Sequence, residues 1–328
     1  MMMRQSVFIT SDSAMDLFVP PSSEGIIPFD FDSVIVLCYV YLGRCPVAVD
    51  YSLTSDVSLK NLPLLRHGEL ESRGVKDILT YLRKQNYGLE YSVTDAEGVQ
   101  LAALVSTIER QITPAVEWFM WGEDEVFTRF TGKLSTKSRN CLSSFYLTHR
   151  WRNKKIDAVK HANLSQSLRT ISDAELAHSV YNTARRCLTT LSYILGKNRY
   201  IVGNKPTAVD AYLFARMWPL LLYESRHGTV DWTHVGRTGV YGGQSASHPL
   251  ISHLLQCPNL VSHFSRILDE SFPKSAACFI RNLRPEDRGF VNCVSAHPVR
   301  DCIVFGIGIT GLFIAYARYA GLIGMSYG

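Results

Sequence analysis

Between Met15 and Leu82 the apolar residues switch repeatedly between two periods. Met15 to Val19 is strand-like and ends at Pro20-Pro21, and Phe31 to Leu42 is a long apolar run of helical character that stops before Gly43. Pro46 to Tyr51 and Leu62 to His67 both read as strands, and Gly68-Glu69 makes a turn. Glu71-Ser72 is expected to cap a helix that places Val75, Ile78, Leu79 and Leu82 on one face. Beyond Asp95 the strand pattern is replaced by helical periodicity over Leu101 to Trp121, Leu142 to Ala162, Asp173 to Leu195, Thr207 to Tyr223 and Pro249 to Leu268. Thr229 to Ser247 is glycine-rich and polar and reads as a loop, and Pro273 to Arg300 reads as a linker. The expectation is an α/β domain followed by an all-α domain: a flexible N-terminus at 1–13, the α/β domain at 14–92, the helical domain at 93–272, a linker at 273–300 and an apolar tail at 301–324.

The tail has a pattern of its own. From Cys302 the chain reads CIVFGIGITGLFIAYA without a charge, then Arg318 and Tyr319, then AGLIG. At ~1.5 Å per residue the uncharged part reaches about 24 Å and the run through Gly324 about 34 Å, against a hydrocarbon core of ~30 Å. A transmembrane helix of comfortable length therefore includes Arg318, whose long side chain can snorkel toward the headgroups. Gly306, Gly308, Gly311, Gly321 and Gly324 would weaken a soluble helix but are common in membrane ones, so a single C-terminal span is expected. Gly306, Gly308 and Gly311 also match G-x-G-x-x-G. A dinucleotide site needs a second parallel strand and an acidic residue about 20 positions further on, which the sequence does not supply, so the match is read as coincidence.

The composition of the 328 residues, 46% hydrophobic and 19% charged, is that of a globular protein with a sizeable core. A net charge of +5 with no basic block interleaved with aromatics argues against nucleic acid as a partner. The eight cysteines are scattered without a C-x-x-C pair and are read as reduced structural thiols. No histidine pair has H-x-x-x-H spacing with an acid between, so neither a metal nor a cofactor is expected. The N-terminus has neither the apolar run of a secretory signal nor the arginines of a presequence, which points to folding in the cytosol.

Within the helical part, Thr207 and Asp210 stand at capping-box spacing, the threonine hydroxyl satisfying a free amide while the acid reaches back toward the cap. They follow Pro206 and open a helix with an apolar face at Ala211, Phe214 and Leu221. The order strand, helix, strand, strand, helix, followed by a helical domain with a Thr-x-x-Asp cap, resembles the glutathione transferase-like fold, in which a thioredoxin-like domain precedes a helical one. More narrowly the chain resembles the metaxin family. The residues that carry this are Asn61-Leu62-Pro63-Leu64, the stretch Ile78 to Tyr87 with its Leu-Arg-Lys-Gln-Asn-Tyr string, the aromatic run Glu117 to Trp121, and Lys205 to Phe214.

The resemblance implies a non-enzymatic subunit of the sorting and assembly machinery, with its soluble domain facing the cytosol and a C-terminal anchor in the mitochondrial outer membrane. The implied partners are the β-barrel assembly channel and other subunits of that machinery, β-barrel precursor proteins and the lipid bilayer. The alternatives are a membrane-anchored glutathione transferase and a tail-anchored mitochondrial adaptor. If the fold is shared, Pro63 would be a cis-proline before the third strand, and Pro63, Glu71 and Ser72 would mark a vestigial glutathione site. Catalysis would also need a hydroxyl near the first helix, for which only Ser22 and Ser23 offer themselves, and Glu24 beside them would oppose a thiolate. Arg150, Trp151, Arg152, Lys154 and Lys155 form either a solvated helix face or a surface for anionic headgroups, each basic residue contributing ~1 kcal/mol there. Trp118 and Trp121 are assigned to the core.

Overall fold

A computed structural model describes residues 5–6, 15–20, 28, 30–51, 62–91, 93–136, 141–164, 172–241 and 246–274. Cys302, Gly306, Gly308, Gly311 and Arg318 of the apolar tail lie outside these residues, as do Ser22 and Ser23. Among the described residues no helix is long and apolar enough to cross a membrane.

Five short strands form one sheet: β1 (Gln5–Ser6), β2 (Met15–Phe18), β3 (Val47–Asp50), β4 (Leu64–His67) and β5 (Leu70–Arg73), in the order β1-β3-β2-β4-β5. β2 and β3 run parallel, with Met15 opposite Val47 and Phe18 opposite Asp50, and the other neighbours are antiparallel. The parallel pair requires a crossover, which α1 (Phe31–Leu42) supplies. Asp30 starts α1, its carboxylate accepting from the Ser33 amide at 3.0 Å and the Ser33 hydroxyl at 3.0 Å. α1 is apolar on nearly every side because it is buried on nearly every side, with Val34, Ile35, Val36 and Leu37 all at 1% exposure or less. α2 (Gly74–Lys84) buries the face Val75, Ile78, Leu79 and Leu82 that its spacing predicts.

The strand β5 replaces the expected helix cap at Glu71-Ser72. Its residues, Leu-Glu-Ser-Arg, carry no apolar alternation, because an edge strand with an exposed outer side needs none. Its pairing with β4 makes it a strand, and α2 begins only at Gly74, whose φ of +73° suits glycine. β1 likewise adds an edge strand within the N-terminal stretch expected to be flexible.

The helical part opens with α3 (Asp95–Thr107), six residues earlier than its apolar pattern suggests, because Thr94 and Glu97 form a capping box. It continues through α4 (Thr113–Glu117), α5 (Asp124–Val126) and α6 (Gly132–Thr136), with π-helical turns at Ile108–Ile112, Trp118–Gly122 and Phe127–Thr131. α7 (Cys141–Leu164), α8 (Asp173–Leu195) and α9 (Ala208–His227) follow. α9 is the central helix: every residue from Ala208 to Glu224 is buried. The stretch expected as a loop contains α10 (Trp232–Thr238), which the Asp231 carboxylate caps at the Thr233 amide, 3.0 Å away. A Cβ on Gly236 would lie 3.1 Å from Ser265 Cβ, so the glycine lets α10 close on the last helix. The long helix expected from Pro249 is two helices, α11 (Pro249–Leu255) and α12 (Pro258–Ser271), because Pro258 can open a helix but not continue one. Phe272 then stacks on Phe214 of α9 at 4.8 Å and meets Tyr41 of α1 edge-on at 5.0 Å, joining the two halves in one core.

Candidate functional site: the ends of the sheet and of the central helix

Two places, besides the basic face of α7, carry the residues singled out by sequence. The first is the open edge of the sheet. The Leu62–Pro63 peptide is cis, Pro63 is buried, and its carbonyl accepts from the Gly74 amide at 3.1 Å. Glu71 does not present its carboxylate to a ligand. Arg66 donates to one oxygen and Arg73 to the other, each at 2.8 Å, and these bonds, Arg66 first, hold the Glu71 carboxyl below its usual range. Ser72 lies within β5, its backbone opposite Leu65.

The second place is the N-terminus of α9. Asp210 accepts from the Thr207 amide at 2.8 Å, the Thr207 hydroxyl at 2.9 Å, the Ile201 amide at 3.0 Å and His263 Nε2 at 2.8 Å. Asp210 thus reaches back to the cap amide as a capping box requires, and it accepts from the threonine hydroxyl as well. Asp210 is 0% exposed and His263 1%, so this is a structural knot with every donor aimed at one carboxylate.

A second acid meets the same helix end. Glu90 accepts from the Ala208 amide at 2.9 Å, from Tyr39 of α1 at 2.9 Å and from Arg83 of α2 at 3.1 Å. One carboxylate thus ties the first two helices to the start of the central one, where the helix dipole favours negative charge. Burial, and then the Glu90 charge, push the Tyr39 hydroxyl well above its ordinary range, so it stays protonated and donating. Further along α9, Arg216 is 4% exposed; its Nε donates to Thr113 at 2.7 Å and its guanidinium sits 4.4 Å from the Phe31 ring centroid. Its Nη1 has no hydrogen-bond partner among the described residues, and burial lowers its pKa against the raising effect of Glu117, Asp32 and Glu109. Neither Glu90 nor Arg216 has a sequence signal: a single acid between two helices and a single arginine in an apolar run look like surface residues.

A third cluster was equally invisible. Glu123, in the acidic run Glu123-Asp124-Glu125, accepts from Tyr181 and from His248 Nε2 at 2.9 Å. His248 Nδ1 accepts from the Leu250 amide at 3.1 Å, which leaves Nε2 as the protonated nitrogen. Burial works to raise the Glu123 carboxyl, but the His248 and Tyr181 bonds outweigh it and hold it below its ordinary value.

The basic face of α7 is only partly a free surface. Arg152 is a strap: its Nε donates to the Trp121 carbonyl at 2.8 Å, its Nη2 pairs with Asp124, and the guanidinium lies 4.3 Å from the Phe127 ring centroid. Lys155 pairs with Glu117 at 2.6 Å. Arg152 and Lys155 thus direct donors to neighbouring acids and a carbonyl of the same chain, while Lys155 itself stays exposed. Arg150, Trp151 and Lys154 are exposed. Trp118 and Trp121 are buried. Cys38, Cys45, Cys187 and Cys257 are free and buried, and burial pushes the Cys45 thiol up to about 12 and Cys187 to about 11, away from thiolate chemistry. Among the described residues no group of acids, histidines and cysteines has the geometry of a metal site.

A family model described as Tom37, outer mitochondrial membrane transport complex protein, matches residues 33–152, and one for the glutathione S-transferase C-terminal domain matches residues 184–267. Human metaxin-1 is 29% identical over 210 residues, which is 63% of this chain and 44% of the human protein, so the match spans under half of that relative's length. Mouse metaxin-1 is 25% identical over 262 residues, 79% of this chain and 76% of the mouse protein. A solved glutathione S-transferase of Ceriporiopsis subvermispora, in complex with glutathione, covers 63% of this chain and 86% of its own at 11% identity and a TM-score of 0.41. The β3-β2-β4-β5 sheet, the helices after it and the match over 184–267 make the fold glutathione transferase-like. With the Tom37 match over residues 33–152 and metaxins among its relatives, the chain is similar to the metaxin family.

Proposed function

We propose that this protein is a non-enzymatic subunit of a mitochondrial outer-membrane transport complex, more narrowly of the sorting and assembly machinery that inserts β-barrel precursors. The match of residues 33–152 to an outer-membrane transport complex family carries the reading. The state of the sheet edge supports the non-enzymatic part: Glu71, where a glutathione transferase would hold its substrate, is occupied by Arg66 and Arg73. The tail from Cys302 to Gly324 is the proposed anchor, leaving the folded part at the cytosolic face. Arg150, Trp151 and Lys154 then form the reduced surface offered to headgroups or to a partner subunit.

Affinity purification from mildly solubilised mitochondria is expected to bring a β-barrel assembly channel with the protein. Absence of the channel, with porin assembly unchanged after depletion, would overturn the reading. Deleting residues 302–328 is expected to abolish mitochondrial location, and integral-membrane behaviour that survives the deletion would remove the anchor. The match of residues 184–267 keeps a second reading in view, a membrane-anchored glutathione transferase. Retention on immobilised glutathione, lost in Ser72→Ala, would favour it.

A further inference from the structure

A cleft of about 580 Å³ opens between α8 and α11 and shares no lining residue with the sheet edge or the exposed face of α7. Its lining includes Arg185, Ser247, Ser252, His253 and Gln256 and, among the described residues, no acidic one. Such a volume suits a small molecule rather than a protein segment.

Arg185 is the cationic member of this lining. Arg66, Arg73, Arg83, Arg129, Arg152 and Arg199 each pair with a carboxylate. The Arg185 guanidinium has no hydrogen-bond or ion-pair partner among the described residues, and its Nε is buried without one. A half-buried cation left unpaired loses hydration without recovering it from the protein, a cost that a bound anion would offset. The walls are held so that they do not supply a substitute. His253 Nε2 lies 3.0 Å from the Arg185 carbonyl and 3.0 Å from the Thr189 hydroxyl, which pins α11 to α8. The Ser252 hydroxyl accepts from the Ala246 amide at 3.2 Å, leaving its own proton without an acceptor among the described residues. The carboxylate of Glu224, which binds Ser247, is itself buried and already accepts from the Val230 and Ser247 amides and the Ser247 hydroxyl.

We propose that this cleft binds a small oxyanion, a phosphate or a carboxylate, with Arg185 as its anchoring cation and the Ser252 hydroxyl as a second donor. The planar guanidinium favours such groups because two of its N–H donors match two oxygens of one anion. The site goes beyond the assembly role proposed above and does not depend on it.

The test is titration calorimetry of the full chain in detergent micelles with inorganic phosphate and, separately, with succinate. Saturable binding of at least one of the two is expected, and the stronger one identifies the chemistry. Arg185→Met should weaken that binding about tenfold or more, Arg185→Lys less, and Ser252→Ala by a smaller factor. Arg186→Met, at the neighbouring exposed arginine, should bind as the unaltered protein does. Absence of saturable binding to both anions, or equal affinity in Arg185→Met and Arg186→Met, would overturn the assignment.

Discussion

The open edge of the sheet and the start of the central helix each present a carboxylate, and they use it in opposite ways. Glu71 lies at the surface and is matched by two arginines, side chains that water would solvate equally well. Asp210 is sealed in the core, and its donors are two backbone amides, a hydroxyl and an imidazole, none of which has water as an alternative. The contrast separates the two inheritances of a glutathione transferase-like fold. At the start of the central helix the Asp210 carboxylate is surrounded by donors. At the sheet edge the Glu71 carboxylate is taken up by Arg66 and Arg73.

The largest effect should come from breaking the knot. Asp210→Ala leaves four buried donors without an acceptor and should cost roughly 3–5 kcal/mol, read as a shift in the denaturant midpoint. Asp210→Asn, which keeps part of the acceptor set, should cost less. A cost near zero would mean the knot is not what starts α9.

Next comes Glu90, which meets the same helix end from the other side. Glu90→Ala removes the acceptor of Tyr39, Arg83 and the Ala208 amide and should destabilise by about 2 kcal/mol. Hydrogen exchange should show the loss concentrated in the first turn of α9.

Glu123 sharpens the comparison through pH. Its folded-state pKa is lowered, so its contribution to stability is present above the ordinary carboxylate value of 4.5 and is lost as pH falls through the lowered folded value. Glu123→Gln should therefore flatten the acid limb of a stability–pH curve below about 4.5. An identical slope in the variant would show that the Tyr181 and His248 bonds do not set it.

The smallest effect is expected at the sheet edge. Glu71→Gln should leave the thermal midpoint unchanged, since exposed pairs contribute little and its partners return to water. A substantial drop there would erase the distinction between the two carboxylates.

The elements legible along the chain are those whose pattern and burial coincide. The α2 face at Val75, Ile78, Leu79 and Leu82, the all-round apolar α1 and the Thr207–Asp210 start of α9 were all readable, because a helix buries one stripe or, when central, every side. The candidate site was legible only in part. Pro63 and Asp210 stand out through their neighbours in sequence, whereas Glu90, Glu123 and Arg216 each bond to at least one residue between 103 and 125 positions away. Arg152 looked like surface charge because its partners, the Trp121 carbonyl, Asp124 and the Phe127 ring, sit about one helix earlier in the chain.

Local period and cap chemistry were therefore enough to specify where most helices run, which of their faces are apolar and which acid opens the central one, because those preferences act within a turn or two of chain. The strand at Leu70–Arg73, the short helix at Trp232–Thr238 and the pairing of Glu71 with two arginines were decided in three dimensions. A polar edge strand exists only by virtue of the strand beside it, a seven-residue helix is stable only against the helix it packs on, and a carboxylate is free or occupied according to which cations the fold brings within reach.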